Sequence, residues 1–251
     1  MGLMDTDYKA QGLTKPITGV PSSEQIRQQL ADEQRPVCVA FSGGKDCVAA
    51  ELALQDAGVE TVLAHLYLIP GRREGETLQF VEDGLKAYED KWQKPIYRYP
   101  HPSFYRWMNN FVFQPPERCE VIEAAMLPTP TYEQMWQLIR EDLGLPEDTW
   151  VADGVRAADS LVRRASIKRH GAMKPSSFKV SPIWDWLTGK TYSYIEDRNV
   201  PLPVDYDWFS RSFDGIDYRF LKPIQENAPD DYRRILDWFP LAEMEIMRNE
   251  F

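Results

Sequence analysis

Cysteine is scarce in this chain: Cys38, Cys47 and Cys119 are the only three, widely spaced and with no C-x-x-C pair. That pattern suggests neither a disulfide framework nor a zinc site, and three thiols cannot ligate a four-cysteine iron–sulfur cluster. A reducing, cytoplasmic setting is expected. Histidine is equally sparse, and His65 and His101 stand alone, so a structural role is the expectation for each. No Ser–His–Asp arrangement can be assembled. No apolar run approaches membrane-spanning length, and the opening MGLMDTDYKAQ lacks the apolar core of a secretory signal. Excess positive charge is missing too. A net charge of -10 and a pI near 4.9 argue against a general nucleic-acid binder, although a nucleic-acid substrate on a local basic patch stays open. Neither the Walker A pattern nor G-x-G-x-x-G occurs.

What is present is an ordinary globular composition, 43% hydrophobic and 27% charged over 251 residues. Residues 1–21 read as a loose arm. Ser22-Ser23-Glu24-Gln25 then starts a helix, with Ile26 and Leu30 on one face. Val37 to Phe41 is a short continuous apolar run, the pattern of a buried parallel strand. Val48 to Ala57 reads as a helix ended by Gly58, Thr61 to Tyr67 as a second strand, and Thr77 to Trp92 as a third helix. Pro95 to Tyr99, Thr149 to Asp153 and Phe178 to Ser181 are three further strand candidates. Helices are expected near 133–143, 157–170, 192–197 and 230–239. The alternation predicts an α/β, Rossmann-like fold: a parallel sheet of five strands with right-handed crossovers. The expected organisation is an N-terminal arm and helix (1–35), a nucleotide-binding domain (36–200) and a C-terminal extension on the same domain (201–251). Residues 101–132, with five prolines and many aromatics, read as an insertion. Phe104, Tyr105, Trp107, Phe111 and Phe113 there suit a satellite core or an interface better than base stacking.

The most informative segment lies between the first strand and its helix: Ser42-Gly43-Gly44-Lys45-Asp46-Cys47. Paired glycines permit positive φ and close approach of a ligand to the backbone. Successive amides there, with the first turn of the helix and its dipole, make an anion site. Lys45 can neutralise phosphate charge, and Asp46 is a candidate ligand for Mg²⁺. The carboxyl end of a central strand is where open α/β sheets place ligands.

"FSGGKDC" resembles the SGGKDS signature of the PP-loop superfamily, in its phosphoadenosine phosphosulfate (PAPS) reductase and ATP sulfurylase small-subunit branch. Three more segments are similar in order and spacing: GETLQFVEDGL (Gly75 to Leu85), DGVRAADSLVRR (Asp153 to Arg164) and SPIWDWLTGKTYSYI (Ser181 to Ile195). The resemblance covers roughly residues 37–200 and implies a five-stranded parallel sheet with helices on both faces and an adenine-nucleotide ligand, ATP or a PAPS-like molecule, with Mg²⁺. It implies nucleotide contacts from Ser42, Gly43, Gly44, Lys45, Asp46 and Cys47. It implies more from Gly154, Arg156, Ser160, Arg163 and Arg164, with Lys45, Asp46 and Arg156 in catalytic roles. Arg163 and Arg164 differ by about a hundred degrees of helix, so only one of the two should face an anion.

The resemblance also breaks. The branch's reductases use a C-terminal cysteine, and this chain has none after Cys119. Cys47 replaces the last loop serine, either as a low-pKa thiol at a helix N-terminus or as a near-isosteric swap. Three readings follow. The first is a PP-loop ATP pyrophosphatase that adenylylates an acceptor. The second is a PAPS reductase-like transferase without the usual cysteine. The third is a non-catalytic nucleotide-binding subunit, with a protein partner or a second copy of itself.

Overall fold

The computed structural model describes residues 9–250; the first eight residues of the expected arm lie outside the described residues. Helix α1 (Ser23–Asp32) begins with a reciprocal cap: the Ser22 hydroxyl accepts from the Gln25 amide at 3.2 Å, and the Gln25 side chain accepts from the Ser22 amide at 2.8 Å. Ile26 and Leu30 form its buried face.

The apolar β1 (Val37–Ala40) is central because both of its edges are paired. It runs parallel to β2 (Thr61–Tyr67), with Val37 opposite Thr61, and to β4 (Val151–Ala152), with Cys38 opposite Val151. With β3 (Ile96–Pro100), β5 (Met173–Lys174) and β6 (Lys179–Val180), the sheet order is β3-β2-β1-β4-β6-β5. The order therefore reverses at β1, the topological switch point where such sheets bind ligands.

The sheet has six strands, not the expected five, and is mostly rather than wholly parallel. The additional strand, β5, pairs antiparallel with β6. Two residues are too few to show a strand period in sequence. Gly171, at φ +77°, ends the preceding helix and turns the chain into β5.

The chain divides into two compact units, residues 1–64 with 140–201 and residues 65–139 with 202–251. The aromatic stretch 101–132 and residues 202–251 fall together in the second unit. The first unit holds α2 (Lys45–Asp56), α7 (Leu161–His170) and α8 (Thr188–Glu196). Helix α2 packs on α8, with Val48, Ala49, Ala50 and Leu54 fully buried. Asp56 on α2 accepts from Tyr194 and Arg198, tying down the far end of that helix pair.

The second unit carries α3 (Gln79–Trp92), α4 (Pro102–Asn109), α5 (Pro116–Ala124) and most of α6 (Tyr132–Asp142). It also carries the C-terminal helices α9 (Asp205–Phe209), α10 (Tyr218–Asn227), α11 (Pro229–Trp238) and α12 (Glu243–Glu250). Helix α3 has no capping side chain of its own. Asp231 supplies one, accepting from the amides of Gln79 and Phe80 at 2.8 and 3.0 Å. Arg234 and Trp238 of α11 donate to the Pro70 carbonyl at 2.9 and 3.1 Å, holding the turn after β2. The aromatic stretch forms a satellite core: Phe104 meets Trp238 with ring centres 5.1 Å apart, and Trp107 meets Phe239 at 5.9 Å. His101 is structural. Its Nδ1 accepts from the Ser103 amide at 2.9 Å, capping α4, and its Nε2 lies 2.9 Å from the Tyr132 hydroxyl. Among the described residues, no helix is long and apolar enough to cross a membrane.

Candidate phosphate-binding site

From β1 the chain passes through Phe41, Ser42, Gly43 and Gly44 straight into α2. The two glycines do different things. Gly43 sits at φ +76°, where a side chain is strained, so the turn itself requires it. Gly44 was expected to share that freedom but is extended, at φ −77° and ψ 157°, a conformation open to any residue. Its effect is chemical instead. As the N-cap of α2 it supplies no side-chain acceptor, so the helix starts without the cap that most helices carry. An N-terminus of this kind, with its dipole, favours an anion.

The loop is closed from within. The Ser42 hydroxyl accepts from the Gly44 amide at 3.3 Å and lies 3.4 Å from Cys47 Sγ, which donates to the Gly44 carbonyl at 3.0 Å. Burial pushes the Cys47 thiol up to about 11, against a smaller opposing effect of the Ser42 hydrogen bond. Cys47 is thus a buried thiol that shapes the loop.

Two neighbouring strand ends complete the surroundings. Gly154, just past β4, lies against the first turn of α2; a Cβ there would come within 2.7 Å of the Asp46 carbonyl carbon and 2.9 Å of the Cys47 nitrogen. Asp153 accepts from the Ser181 hydroxyl at 2.7 Å and from the Val155 amide at 3.1 Å, and burial raises its pKa. The ends of β1, β4 and β6 therefore meet here.

Charge runs through the site as an alternating chain. The Asp46 carboxylate lies 2.7 Å from Lys45 Nζ and 2.9 Å from Arg156 Nε. The second contact is Coulombic rather than an aligned hydrogen bond, since neither Asp46 Oδ1 nor Arg156 Nε has a hydrogen-bond partner among the described residues. Arg156 also pairs with Asp159 at 2.6 Å and donates to the hydroxyls of Thr188 and Thr191 on α8, each at 3.2 Å. Arg163 pairs with the other Asp159 oxygen. Three cations (Lys45, Arg156, Arg163) against two carboxylates (Asp46, Asp159) leave one positive charge in excess.

This geometry changes the part expected of Arg156. It was expected to face an anion, yet it is only 2% exposed and its guanidinium is surrounded by protein partners. The reason is local: Gly154 brings the chain down onto α2, and the two aspartates hold the arginine there. The adjacent arginines of α7 diverge. Arg163 meets Asp159, while Arg164 reaches the Lys15 carbonyl at 3.4 Å and lines a cleft. Ser160 caps α7, accepting from the Arg163 amide at 3.1 Å.

The Mg²⁺ expectation fits poorly. Both oxygens of Asp46 face cations, and among the described residues no group of three or more His, Cys, Asp or Glu could hold a metal. Thr188, Thr191 and the Ser181–Asp153 contact were not anticipated; lone hydroxyls carry no sequence pattern, and only the fold brings them to the site.

No family model matches the chain, and no curated protein matches it. Among solved structures, the phosphate complex of phosphoadenylyl-sulfate (PAPS) reductase from Candida auris matches with a TM-score of 0.43. The two are 14% identical, over 82% of this chain and 93% of that one.

Proposed function

We propose that this protein binds ATP or a related adenine nucleotide, with its phosphates on the loop Ser42–Cys47, and uses it to adenylylate an acceptor. The observation that carries the reading is the uncapped start of α2 directly behind the left-handed Gly43, at the strand where the sheet order reverses. In the proposed reaction an acceptor oxygen attacks the α-phosphorus. The bond from that phosphorus to the bridging oxygen breaks, and the pair of electrons leaves with pyrophosphate. The loop amides and Lys45 would bind the departing negative charge more tightly than the ground state, which lowers the barrier.

Lys45 is held by Asp46 at 2.7 Å, so an incoming phosphate would compete with that carboxylate for the ammonium. Arg156 acts as a positioning residue: it fixes Asp46 and so sets where Lys45 rests. No step is assigned to Mg²⁺, because the carboxylate that would hold it faces two cations. The reductase alternative loses support from Cys47, whose thiol is buried and pushed up to about 11. Titration with ATP, AMP and adenosine tests the reading. Affinity should fall in that order, and pyrophosphate should accumulate when the acceptor is present. Equal affinity for ATP and adenosine would contradict a phosphate-binding loop.

A further inference from the structure

The chain after Arg156 builds a second concave surface. A cleft of about 620 Å³ opens in the first unit, between residues 9–15 of the N-terminal arm and residues 157–164. No residue of the loop 42–47 lines it. Its volume is that of a small-molecule site.

The arm that forms one wall is fixed by backbone pairing. Leu13 makes an antiparallel bridge with Trp186, the Thr14 amide donates to the Asp185 carbonyl at 2.7 Å, and the Leu187 amide donates to the Gly12 carbonyl at 2.8 Å. The other wall is anchored where the Ala157 amide donates to the Trp184 carbonyl at 2.7 Å. Both walls therefore hang on the same buried segment, and the cleft is a built feature.

Its chemistry runs against that of the whole chain. In a protein of net charge -10, the charged groups that line the cleft among the described residues are Lys9, Lys15 and Arg164. Arg164 has a backbone carbonyl as its neighbour, whereas Arg163 beside it is paired with an aspartate. Hydroxyls of Thr14 and Ser160 add short polar contacts. Leu13, Leu187 and Leu161, the last 87% exposed, supply an apolar lining.

We propose that this cleft binds a phosphate monoester carrying an apolar body. Cationic residues on both walls suit a dianion, the planar guanidinium of Arg164 suits a phosphate, and the leucines bury the remainder of the ligand. The site is separate from the nucleotide loop and does not rest on the adenylylation reading.

The probe is 2-naphthyl phosphate, with neutral 2-naphthol as comparator, titrated calorimetrically into the full chain. The phosphate should bind and 2-naphthol should bind far more weakly. Arg164→Ala, at a half-buried position, should weaken phosphate binding by about tenfold, the worth of one charge-assisted hydrogen bond. Lys15→Ala should weaken it as well, and Gly44→Asp should leave it unchanged. Unchanged affinity in both cleft variants overturns the proposal, as does equal binding of phosphate and naphthol or no binding at all. Loss in Gly44→Asp alone overturns it too, by moving the phosphate to the loop.

Discussion

Replacing Arg156 with alanine would leave Asp46 facing only Lys45 and leave the Thr188 and Thr191 hydroxyls without their shared donor. Breaking a buried ion pair from one side costs about 3–5 kcal/mol, so Arg156→Ala should show that loss in urea unfolding. Arg156→Lys should recover only part of it, because an ammonium cannot reach four partners with a planar fork. A stability unchanged by Arg156→Ala would show that the charge chain does not hold the site together. The left-handed turn at Gly43 was legible from sequence, because paired glycines after an apolar strand signal it. The burial of Arg156 was not, because it depends on where Gly154 and α8 bring their neighbours.

At the scale of elements, the contact between the end of β4 and the start of α2 is the tightest point of the site. Gly154→Ala would push a methyl to within 2.9 Å of three backbone or Cβ atoms of Asp46 and Cys47. The strain should cost about 1–3 kcal/mol and weaken nucleotide binding as the loop shifts. A variant as stable as wild type, with the same affinity, would show that the loop does not depend on this contact.

Helix α4 offers an independent test in the second unit. Burial, with Arg106 and His65 adding, pushes the His101 pKa down to about 4 from an ordinary 6.5. Between those values the unfolded chain binds more protons than the folded one, so stability falls as pH falls from about 6.5 toward 4. His101→Asn keeps an N-cap acceptor without a group that titrates there, and its stability measured by denaturant should lose less over that window. Parallel profiles for the two proteins would mean that the histidine is not held neutral. The long periodic helices and the apolar β1 were readable as elements. The two-residue β5 was not, nor was the Asp231 cap on α3, which comes from 151 positions away in the chain.

At the scale of the molecule, the chain is acidic, with net charge -10. The loop behind β1 lies beside three cations and two carboxylates, where the strand order reverses. The α/β alternation was visible in the sequence, as was the glycine loop between β1 and α2. The division into two units was not, because residues 101–132 and 201–251 are joined by aromatic contacts that no local pattern reveals. In the proposed function, phosphate takes the place of the missing cap at the start of α2. Gly44→Asp tests it directly: the extended backbone of Gly44 accepts aspartate without strain, and the carboxylate would cap the helix itself. Calorimetric titration of this variant with ATP, alongside thermal unfolding, gives a clear answer. The account predicts unfolding at or slightly above the wild-type temperature, together with loss of ATP binding. Wild-type ATP affinity in the folded variant would contradict it.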